Sequence, residues 1–532
     1  MSDKNIVFDT DVVVVGSGVA GALVARQLAR SGLKVTILEA GETWQREDAV
    51  QRYQNSWNRT LTAPYQQAHW TTTPADPAYF AGQGNPNYQP SFLKGVGGST
   101  WHWTGITPRF LPSDFELRSR YGKGEDWPIS YDELEPYYVQ AEQALGVAGD
   151  SENDHGSPRS EPYPMPAIPM TYGDKVIGSR LSKSGVNVAA LPAARNSRNY
   201  DGRPSCRGNN TCTPLCPIGA AYSADVDVAK AVSAGAQLLA PAVVYRFDVD
   251  EKQNITTAHY KRADGSTHQV TARRFVLACN SIETARLLLM SGSDSAPDGL
   301  ANSSGQVGCN LMDHTIFVSK FTMPEPLYIG RGPQSVSTIL SGRDGSFRKH
   351  YAAAKFFLGN DLNIHQEAAL LLENDKNWIH TIEKLKKQAI YQGQIGAEIE
   401  QLPDHHNRVQ LDTKRVDPLG LPLPMIDYTL SAYSQRGVKH WSTYVRRLIH
   451  QMDGQHIKTS TSLSSHHPSG TTRMGKSPKK SVVNVHCQSH DHPNLFIAGG
   501  SVFPAMGTAN PTLTIAALSL RLADYLLHKS TG

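Results

Sequence analysis

Three cysteines, Cys206, Cys212 and Cys216, lie within eleven residues and indicate a metal or redox centre. Their spacing is Cx5Cx3C, and a proline follows the last cysteine directly, as in many iron–sulfur loops. A structural zinc site normally takes four ligands, often in two close pairs, and the chain contains no CxxC. Three thiolates suit a [3Fe-4S] cluster, a cuboidal cluster with one corner missing. The alternative is a loop that carries three unmetallated cysteines.

A second set of residues predicts dinucleotide binding. The segment VVVVGSGVAG places Gly16, Gly18 and Gly21 in G-x-G-x-x-G spacing, and Glu39 closes the next apolar run 21 residues after Gly18. Such glycines let a pyrophosphate approach a helix N-terminus, and the carboxylate can accept hydrogen bonds from ribose hydroxyls. An ordinary glycine turn explains less of this pattern. Because the motif begins so near the start of the chain, we expect FAD rather than NAD.

His467 in HPSGTTRMG and Asn510 in GTANPTLT flank the apolar segment FIAGGS. Oxidation of an alcohol by hydride transfer needs a base for the hydroxyl proton and a polar group that fixes the oxygen. An imidazole suits the first task, and an amide, which is always neutral, suits the second. Taken singly, each residue could be a capping or turn residue. His466 is the other candidate base, but we expect it to be structural or to act on the site only through a neighbour, because neighbours in an extended segment face opposite ways.

The elements around these residues predict parallel-sheet architecture. Asp11–Val15 and KVTILEAG are strands joined by a helix, and VVYRFDVD, TTAHYKR and QVTARRFVLAC are three further strands. SIETARLLLMSG and NPTLTIAALSLRLADYLL are predicted helices. Residues 55–95 are rich in Pro, Asn, Gln, Tyr and Gly and predict a long ordered loop over a site.

Composition narrows the class of partner. The chain has 532 residues, a formal net charge of +4 and 19% charged residues, without a basic run, so we expect neither nucleic acid nor direct lipid binding. No apolar stretch approaches the roughly 20 residues of a membrane span. The first residues lack a basic segment that leads into an apolar one, so we expect no signal peptide. The remaining cysteines, Cys279, Cys309 and Cys487, are expected to be packed thiols.

These motifs together resemble the glucose–methanol–choline (GMC) oxidoreductase family. The resemblance rests on VVVVGSGVAG, LEAG, GVGGSTWHW, HPSGTTRMG and the segment from NLFIAGGS to LADYL, and it runs from end to end of the chain. It implies an α/β (α+β) fold, with a Rossmann-like FAD-binding domain beside a substrate domain built on an antiparallel six-stranded sheet. It also implies that His467 and Asn510 lie at the flavin face as catalytic residues.

The expected domains are discontinuous. The FAD-binding domain comprises residues 1–55, 90–110, 200–312 and 485–532, with the iron–sulfur loop at 204–220. Residues 111–199 and 313–484 form the substrate domain and connecting segments.

The resemblance implies further cofactor contacts. In the family, the segment matching GVGGST runs along the flavin, so its side chains must be small. In the pyranose oxidase branch a histidine at the place of His102 is joined covalently to the flavin; the alternative is a histidine that only packs on a non-covalent flavin. Besides the glycine motif and Glu39, the expected FAD contacts are Gly97, Gly98, Ser99, Thr100, His102, Val244, Asn280, Ser501 and Thr512.

The cysteine loop resembles that of the FAD subunits of bacterial membrane-bound glucose and fructose dehydrogenases, which carry such a cluster. Those subunits associate with a small subunit that has a twin-arginine signal and with a cytochrome c subunit. The resemblance therefore implies the periplasmic face of the inner membrane, with the cytoplasm as the alternative. Where those relatives usually have adjacent cysteines, this chain has Cys206 and Arg207. Its HHPSG and ANPTLT segments are closer to pyranose oxidase.

The sequence thus predicts an FAD-dependent sugar or polyol dehydrogenase. Electrons would leave singly through a cluster on the three cysteines to a cytochrome or quinone. One alternative is a pyranose or glycoside oxidase that makes peroxide. The other is a flavin-binding redox protein without turnover.

Overall fold

The structure is a computed structural model. It describes residues 9–56, 60, 62–65, 70, 88, 91–294, 296–361, 377–463 and 466–528. Most of the loop predicted over residues 55–95 therefore lies outside the described residues. Among the described residues, no helix combines the length and the apolar character that a bilayer span requires.

The strands are β1 Thr10–Val15, β2 Val35–Leu38, β3 Ala148–Gly149, β4 Met165–Pro166, β5 Val188–Ala190, β6 Gln237–Leu239, β7 Val243–Val249, β8 Ile255–Lys261, β9 Thr267–Leu277, β10 Thr315–Thr322, β11 Ser337–Ile339, β12 Ala354–Gly359, β13 Gln392–Ile399, β14 Arg408–Val416, β15 Pro422–Asp427, β16 Gln455–Leu463 and β17 Leu495–Ile497. The α-helices are α1 Val19–Arg30, α2 Arg46–Asn55, α3 Pro112–Phe115, α4 Leu117–Tyr121, α5 Tyr131–Leu145, α6 Tyr172–Ser182, α7 Asp225–Ser233, α8 Ser281–Met290, α9 Trp378–Ala389, α10 Ala432–Gln451 and α11 Thr512–His528. Short 3-10 helices span Gly98–Trp101, Ser346–Lys349 and Gly500–Val502.

The larger sheet joins segments from both ends of the chain. Its order is β6-β2-β1-β9-β8-β7, and β17 pairs with β9. The strands β6, β2, β1, β9 and β17 are parallel, whereas β7, β8 and β9 form an antiparallel meander. β1 is almost wholly buried, which explains its continuous β-branched sequence. The predicted strand–helix–strand unit and the three strands after residue 243 are confirmed.

The second sheet has the antiparallel order β12-β13-β10-β16. Its core includes Phe317, Phe356 and Ile395, and Trp441 and Val445 of α10 belong to the same apolar cluster. The resemblance implied six strands, but the described residues form four in this sheet. The strand β11 pairs with β5 instead. It meets β12 through the Thr338 hydroxyl, which donates to the carbonyl of Phe356 at 2.6 Å.

Two charged side chains of the second sheet lie beside Asn510, which follows the last strand of the larger sheet. Lys355 on β12 and Glu398 on β13 are direct cross-strand partners. Their neighbours in sequence are apolar, so the two side chains share one face of an otherwise buried sheet. Glu398 lines a single cavity together with His467 and Asn510.

Candidate active site

One cavity of about 460 Å³ connects the glycine turn to the predicted catalytic pair. Gly16, Gly18 and Glu39 line one part of it, and His467 and Asn510 line another. The other predicted cofactor residues in its wall are Gly98, Ser99, Thr100, His102, Val244, Asn280 and Thr512. The structure thus brings most of the predicted residues together although they come from widely separated parts of the sequence.

The glycine turn is built for close backbone approach. Gly16 has φ of +99°, a conformation that favours glycine. A Cβ at Gly21 would lie 2.0 Å from the carbonyl oxygen of Gly16, so any side chain would force the helix away from the strand. Both observations agree with a phosphate-binding turn at the N-terminus of α1.

Glu39 is held at the end of β2 by three N–H or O–H donors. Its Oε2 accepts from the Ser17 backbone at 2.9 Å and from the Ser17 hydroxyl at 2.7 Å, and its Oε1 accepts from the Gly41 backbone at 3.0 Å. Burial raises the pKa of Glu39, and these hydrogen bonds oppose that rise. The carboxylate is therefore fixed in the cavity wall, in the position expected of a ribose acceptor.

The GVGGST segment lies directly against the glycine turn. A Cβ at Gly98 would lie 3.2 Å from the Cα of Gly18. Thr100 donates from its hydroxyl to the carbonyl of Gly97 at 2.6 Å and accepts from the Ala224 backbone at 2.8 Å, which fixes the turn. Gly97 itself is not in the cavity wall; its φ of +94° shapes the turn instead.

His102 is in the cavity wall, at the end of the 3-10 turn that carries Gly98. Burial, with a smaller contribution from nearby His466, lowers the pKa of His102 to about 3. The imidazole is therefore neutral at physiological pH, which is the nucleophilic form that a covalent bond to a cofactor requires.

His467, the predicted base, contacts Asn510 with one ring nitrogen and a second histidine with the other. Its Nε2 lies 3.3 Å from Nδ2 of Asn510, and its Nδ1 lies 3.0 Å from Nδ1 of His314. Burial lowers the pKa of His467 well below its usual range, although Glu398 opposes the shift. His466 also lines the cavity, contrary to the expectation that it faces away, because this segment is a bend rather than an extended strand.

Asn510 is oriented by the buried ion pair between the two sheet residues. Lys355 Nζ donates to Asn510 Oδ1 at 2.5 Å and lies 2.8 Å from Glu398 Oε2. Asn510 Nδ2 donates to Glu398 Oε1 at 3.1 Å. Burial opposes ionisation of Glu398, but the charge and hydrogen bond of Lys355, together with the neighbouring His467 and His314, outweigh it and hold the pKa of Glu398 at about 2. A cation at the amide oxygen and an anion at the amide nitrogen leave Asn510 one orientation.

His314, Lys355 and Glu398 were not among the predicted site residues. For the last two the sequence contains a signal, since each is the lone charged residue in an otherwise apolar strand segment, AAAKFFLG and QIGAEI. A charge in such a segment must be paired when buried. His314 has no comparable local signal, because its partner in the site is 153 residues away.

His314, Glu398 and His467 are also the one set in the described part of the chain whose ligand atoms lie close enough together, within 4.8 Å, to hold a single ion. Lys355 lies against Glu398, and the two imidazoles are already hydrogen-bonded to each other. This set is therefore a hydrogen-bond network rather than a metal centre.

The cysteine loop borders the same cavity. Thr213, the residue after Cys212, lines it. Each of the three thiols accepts an N–H: Cys206 from Gly208 at 3.4 Å, Cys212 from the Arg195 guanidinium at 3.2 Å and Cys216 from Ala221 at 3.4 Å. The three sulfurs do not all lie within 4.8 Å of one another, as the ligands of a single ion would. All three sulfurs are thus held by N–H donors, and one of these donors is the buried Arg195 cation.

Two predicted cofactor residues have other roles in the structure. Asn280 caps α8, accepting from the Ile282 backbone at 2.9 Å, while it also lines the cavity. Ser501 is fully buried and is not in the cavity wall; Gly499 and Gly500 are. The turn after β17 therefore presents backbone, not the Ser501 hydroxyl, to the cavity.

Comparison with known proteins identifies the class. The GMC oxidoreductase family matches residues 11–316 with its N-terminal part and residues 403–519 with its C-terminal part. The chain therefore belongs to the GMC oxidoreductase family, which confirms the resemblance and the fold class and implies FAD as cofactor. It is an oxidoreductase.

Individual relatives are similar over almost the whole chain. The chain is 38% identical to the fructose dehydrogenase large subunit of Gluconobacter japonicus, over 99% of both chains. It is 30% identical to paromamine 6'-oxidase of Streptomyces fradiae, over 96% of this chain and 90% of that protein. The crystal structure of pyridoxine 4-oxidase from Mesorbium loti has the same fold, with a TM-score of 0.68 at 16% identity, covering 98% of this chain and 99% of that one.

Proposed function

We propose that the chain is an FAD-dependent dehydrogenase that oxidises a CH–OH group of a sugar or polyol. The observation that carries this proposal is the 3.3 Å separation of His467 Nε2 and Asn510 Nδ2, in the cavity that also contains the glycine turn. One hydroxyl oxygen can contact both atoms. FAD, when bound along this cavity, supplies the acceptor for the hydride.

In this proposal His467 takes the hydroxyl proton at Nε2, and the Asn510 amide donates to the same oxygen. Burial keeps His467 neutral, so the base is ready at physiological pH. A positioned base of this kind contributes about 10²–10⁴ in rate. The Lys355–Glu398 pair keeps the amide N–H of Asn510 directed at the substrate oxygen.

The residues that would hold FAD are those in the cavity wall. Gly16 and Gly18 would take the pyrophosphate at the N-terminus of α1, and Glu39 the ribose hydroxyls. Gly98, Ser99 and Thr100 would lie along the flavin, with Val244, Asn280 and Thr512 as further contacts. His102 is neutral and faces the same cavity, which supports a covalent bond to the flavin.

Cys206, Cys212 and Cys216 would hold a [3Fe-4S] cluster that carries electrons out one at a time. Three features support this assignment: the N–H donors to all three sulfurs, the Arg195 cation beside Cys212, and the position of Thr213 in the cavity wall. The loop thus borders the cavity at Thr213, and its residues Cys206 and Cys216 are partly exposed. An oxidase, whose flavin reacts directly with oxygen, has no need of such an exit.

The relative from Gluconobacter japonicus is the large subunit of a fructose dehydrogenase. We infer that this chain is likewise the large subunit of an assembly, with a small twin-arginine subunit and a cytochrome c subunit, at the periplasmic face of the inner membrane. Fructose is the first substrate to test. Co-purification of the chain with both subunits, after expression of the complete gene set, would support this assembly.

Anaerobic reduction by a panel of sugars and polyols, followed by iron analysis and low-temperature spin resonance, tests the proposal. We expect bleaching of the flavin by one sugar class and close to three iron atoms per chain, as the [3Fe-4S] assignment requires. Iron-free protein that makes peroxide stoichiometrically in air would instead identify an oxidase, the class for which the relative from Streptomyces fradiae is named. Flavin that stays oxidised with every sugar would identify a redox protein without turnover.

A further inference from the structure

Half-buried His467 lines the active-site cavity, and a fully buried second histidine, His314, lies behind it and is not used in the proposed reaction. His314 is 1% exposed, and its Nδ1 lies 3.0 Å from Nδ1 of His467. A hydrogen bond between two imidazole nitrogens requires one proton between them, so one nitrogen donates and the other accepts.

The other nitrogen of His314 determines which ring donates. Its Nε2 lies 2.8 Å from the backbone carbonyl oxygen of Gly507, which can only accept. His314 Nε2 must therefore carry the proton. Burial lowers the pKa of His314, so the ring is neutral and its Nδ1 has a lone pair. It follows that His467 Nδ1 carries the proton and donates, and that His467 Nε2 is unprotonated.

A buried carboxylate, that of Asp313, holds the backbone of both histidines in place. The side chain of Asp313 accepts at Oδ1 from the backbone N–H of His314 at 2.8 Å and from that of His467 at 3.1 Å. The hydroxyl of Tyr88 donates to the other oxygen of Asp313 at 3.0 Å. The backbones of both histidines are therefore tied to one group, and the hydrogen bond between the rings is not a chance contact of mobile side chains.

Charged and titratable groups from several elements surround the two histidine rings. Glu398 of β13 and Lys355 of β12 act on both histidines, Asp114 of α3 acts on His314, and His466 acts on His467. When His467 takes a proton at Nε2, it becomes an imidazolium whose Nδ1–H still donates to His314. The ionised Glu398 compensates the new charge.

We propose that His314 is a positioning residue, which holds His467 in the tautomer whose Nε2 is free to take the hydroxyl proton of the substrate. This inference deepens the proposed function and rests on His467 being the base. Only one proton moves in the step: it leaves the substrate oxygen and binds His467 Nε2, while the Nδ1 proton stays in the hydrogen bond to His314.

Three substitutions of His314 distinguish a positioning role from a merely structural one. His314→Leu removes the acceptor. His314→Asn keeps an oxygen near the position of Nδ1, which can accept from His467. His314→Gln keeps a donor near Gly507 but displaces the acceptor. His492→Leu is the matched control, because His492 is a buried histidine with two backbone partners that does not line the cavity.

The readouts are the rate of anaerobic flavin reduction at saturating sugar, KM, the pH profile and the flavin content. An orienting acceptor on the far side of a catalytic histidine is worth up to about 10⁴ in a serine protease. We expect His314→Leu and His314→Gln to slow reduction about 10²–10⁴-fold with flavin bound and KM little changed. We expect His314→Asn to recover to within about tenfold of the unmodified protein.

The remaining outcomes overturn the inference or its premise. Reduction at the unmodified rate in His314→Leu, or a His314→Asn protein slower than His314→Gln, would refute the role of His314. If His314→Leu does not fold, the Asn and Gln variants decide. If His467→Ala reduces its flavin at the unmodified rate, the base assignment fails, and the proposed function fails with it. If His467→Ala is inactive while His314→Leu is normal, only the inference fails.

Discussion

Replacement of Lys355 with methionine removes the cation from a buried network. The ammonium lies 2.8 Å from Glu398 Oε2 and 2.5 Å from Asn510 Oδ1, and both partners are buried. Loss of one member of a buried ion pair costs about 3–5 kcal/mol, because the other charge is left uncompensated. We expect Lys355→Met to lower the free energy of unfolding by this amount at pH 7.

The pKa of Glu398 determines how the destabilisation caused by Lys355→Met varies with pH. In the unmodified protein its pKa is held at about 2, below the usual 4.5, so its contribution to stability is present above pH 4.5 and is lost as the pH falls toward 2. Without Lys355 the buried carboxyl has a raised pKa. The destabilisation of Lys355→Met is therefore greatest near neutrality and decreases toward pH 4.5.

The same variant tests the orientation of Asn510. With no donor at Oδ1, the amide is free to rotate, and misplacement of a positioning group costs about 10²-fold in rate. We expect Lys355→Met to slow anaerobic flavin reduction by this factor. The double variant Lys355→Met/Glu398→Gln should recover most of the stability but not the rate, because Asn510 Oδ1 still lacks its donor.

Urea denaturation followed by tryptophan fluorescence measures the stability, and stopped-flow absorbance measures the rate. The control is Arg109→Met, which breaks a buried 2.8 Å ion pair with Glu142 outside the cavity wall. It should cost stability without slowing flavin reduction. A Lys355→Met protein destabilised by less than about 1 kcal/mol, or one that reduces its flavin at the unmodified rate, would refute the account of the network.

Three further predictions concern the cavity. The acid limb of the kcat/KM pH profile should lie well below pH 6.5, because burial lowers the pKa of the base His467; a limb at 6.5 or above would contradict this. Gly21→Val should yield flavin-free protein, because its Cβ would lie 2.0 Å from the Gly16 carbonyl oxygen. The control Gly32→Val, at a surface turn with φ of +84°, should keep its flavin, as measured by absorbance. Flavin retained in Gly21→Val would refute the role of the glycine turn. If His102 is joined to the flavin, acid precipitation should leave the yellow colour in the pellet, and His102→Ala should release it; colour in the supernatant of the unmodified protein would exclude the bond.

The sequence predicted the parts of the fold whose signals are local. The glycine spacing, the apolar run of β1 and the helix after Asn280 each lie within a short segment, and all appear in the structure as expected. The number of strands in the second sheet was wrong for the described residues. Strand pairing there depends on contacts between distant segments, and β11 pairs with β5 rather than with this sheet.

The candidate site likewise contains residues that local motifs revealed and residues that only the folded structure reveals. His467, Asn510 and the three cysteines stand in motifs, so their residue types and spacing made them candidates before folding was considered. His314, Lys355 and Glu398 act through partners that the chain brings together only on folding. Their roles follow from distances of 2.5–3.1 Å. Ser501 is the opposite case, because it stands in a motif but does not line the cavity.

In the proposed function, one chain collects two electrons from a sugar carbon and passes them on singly through the loop of Cys206, Cys212 and Cys216. Freeze-quench spin resonance after anaerobic mixing with the active sugar follows both redox centres at once. We expect the signal of the oxidised cluster to disappear as the flavin is reduced, and we expect Cys212→Ser to keep flavin reduction but to lose both the signal and electron transfer to an external acceptor. A protein without iron, or a cluster signal that persists beside fully reduced flavin, would contradict this proposal.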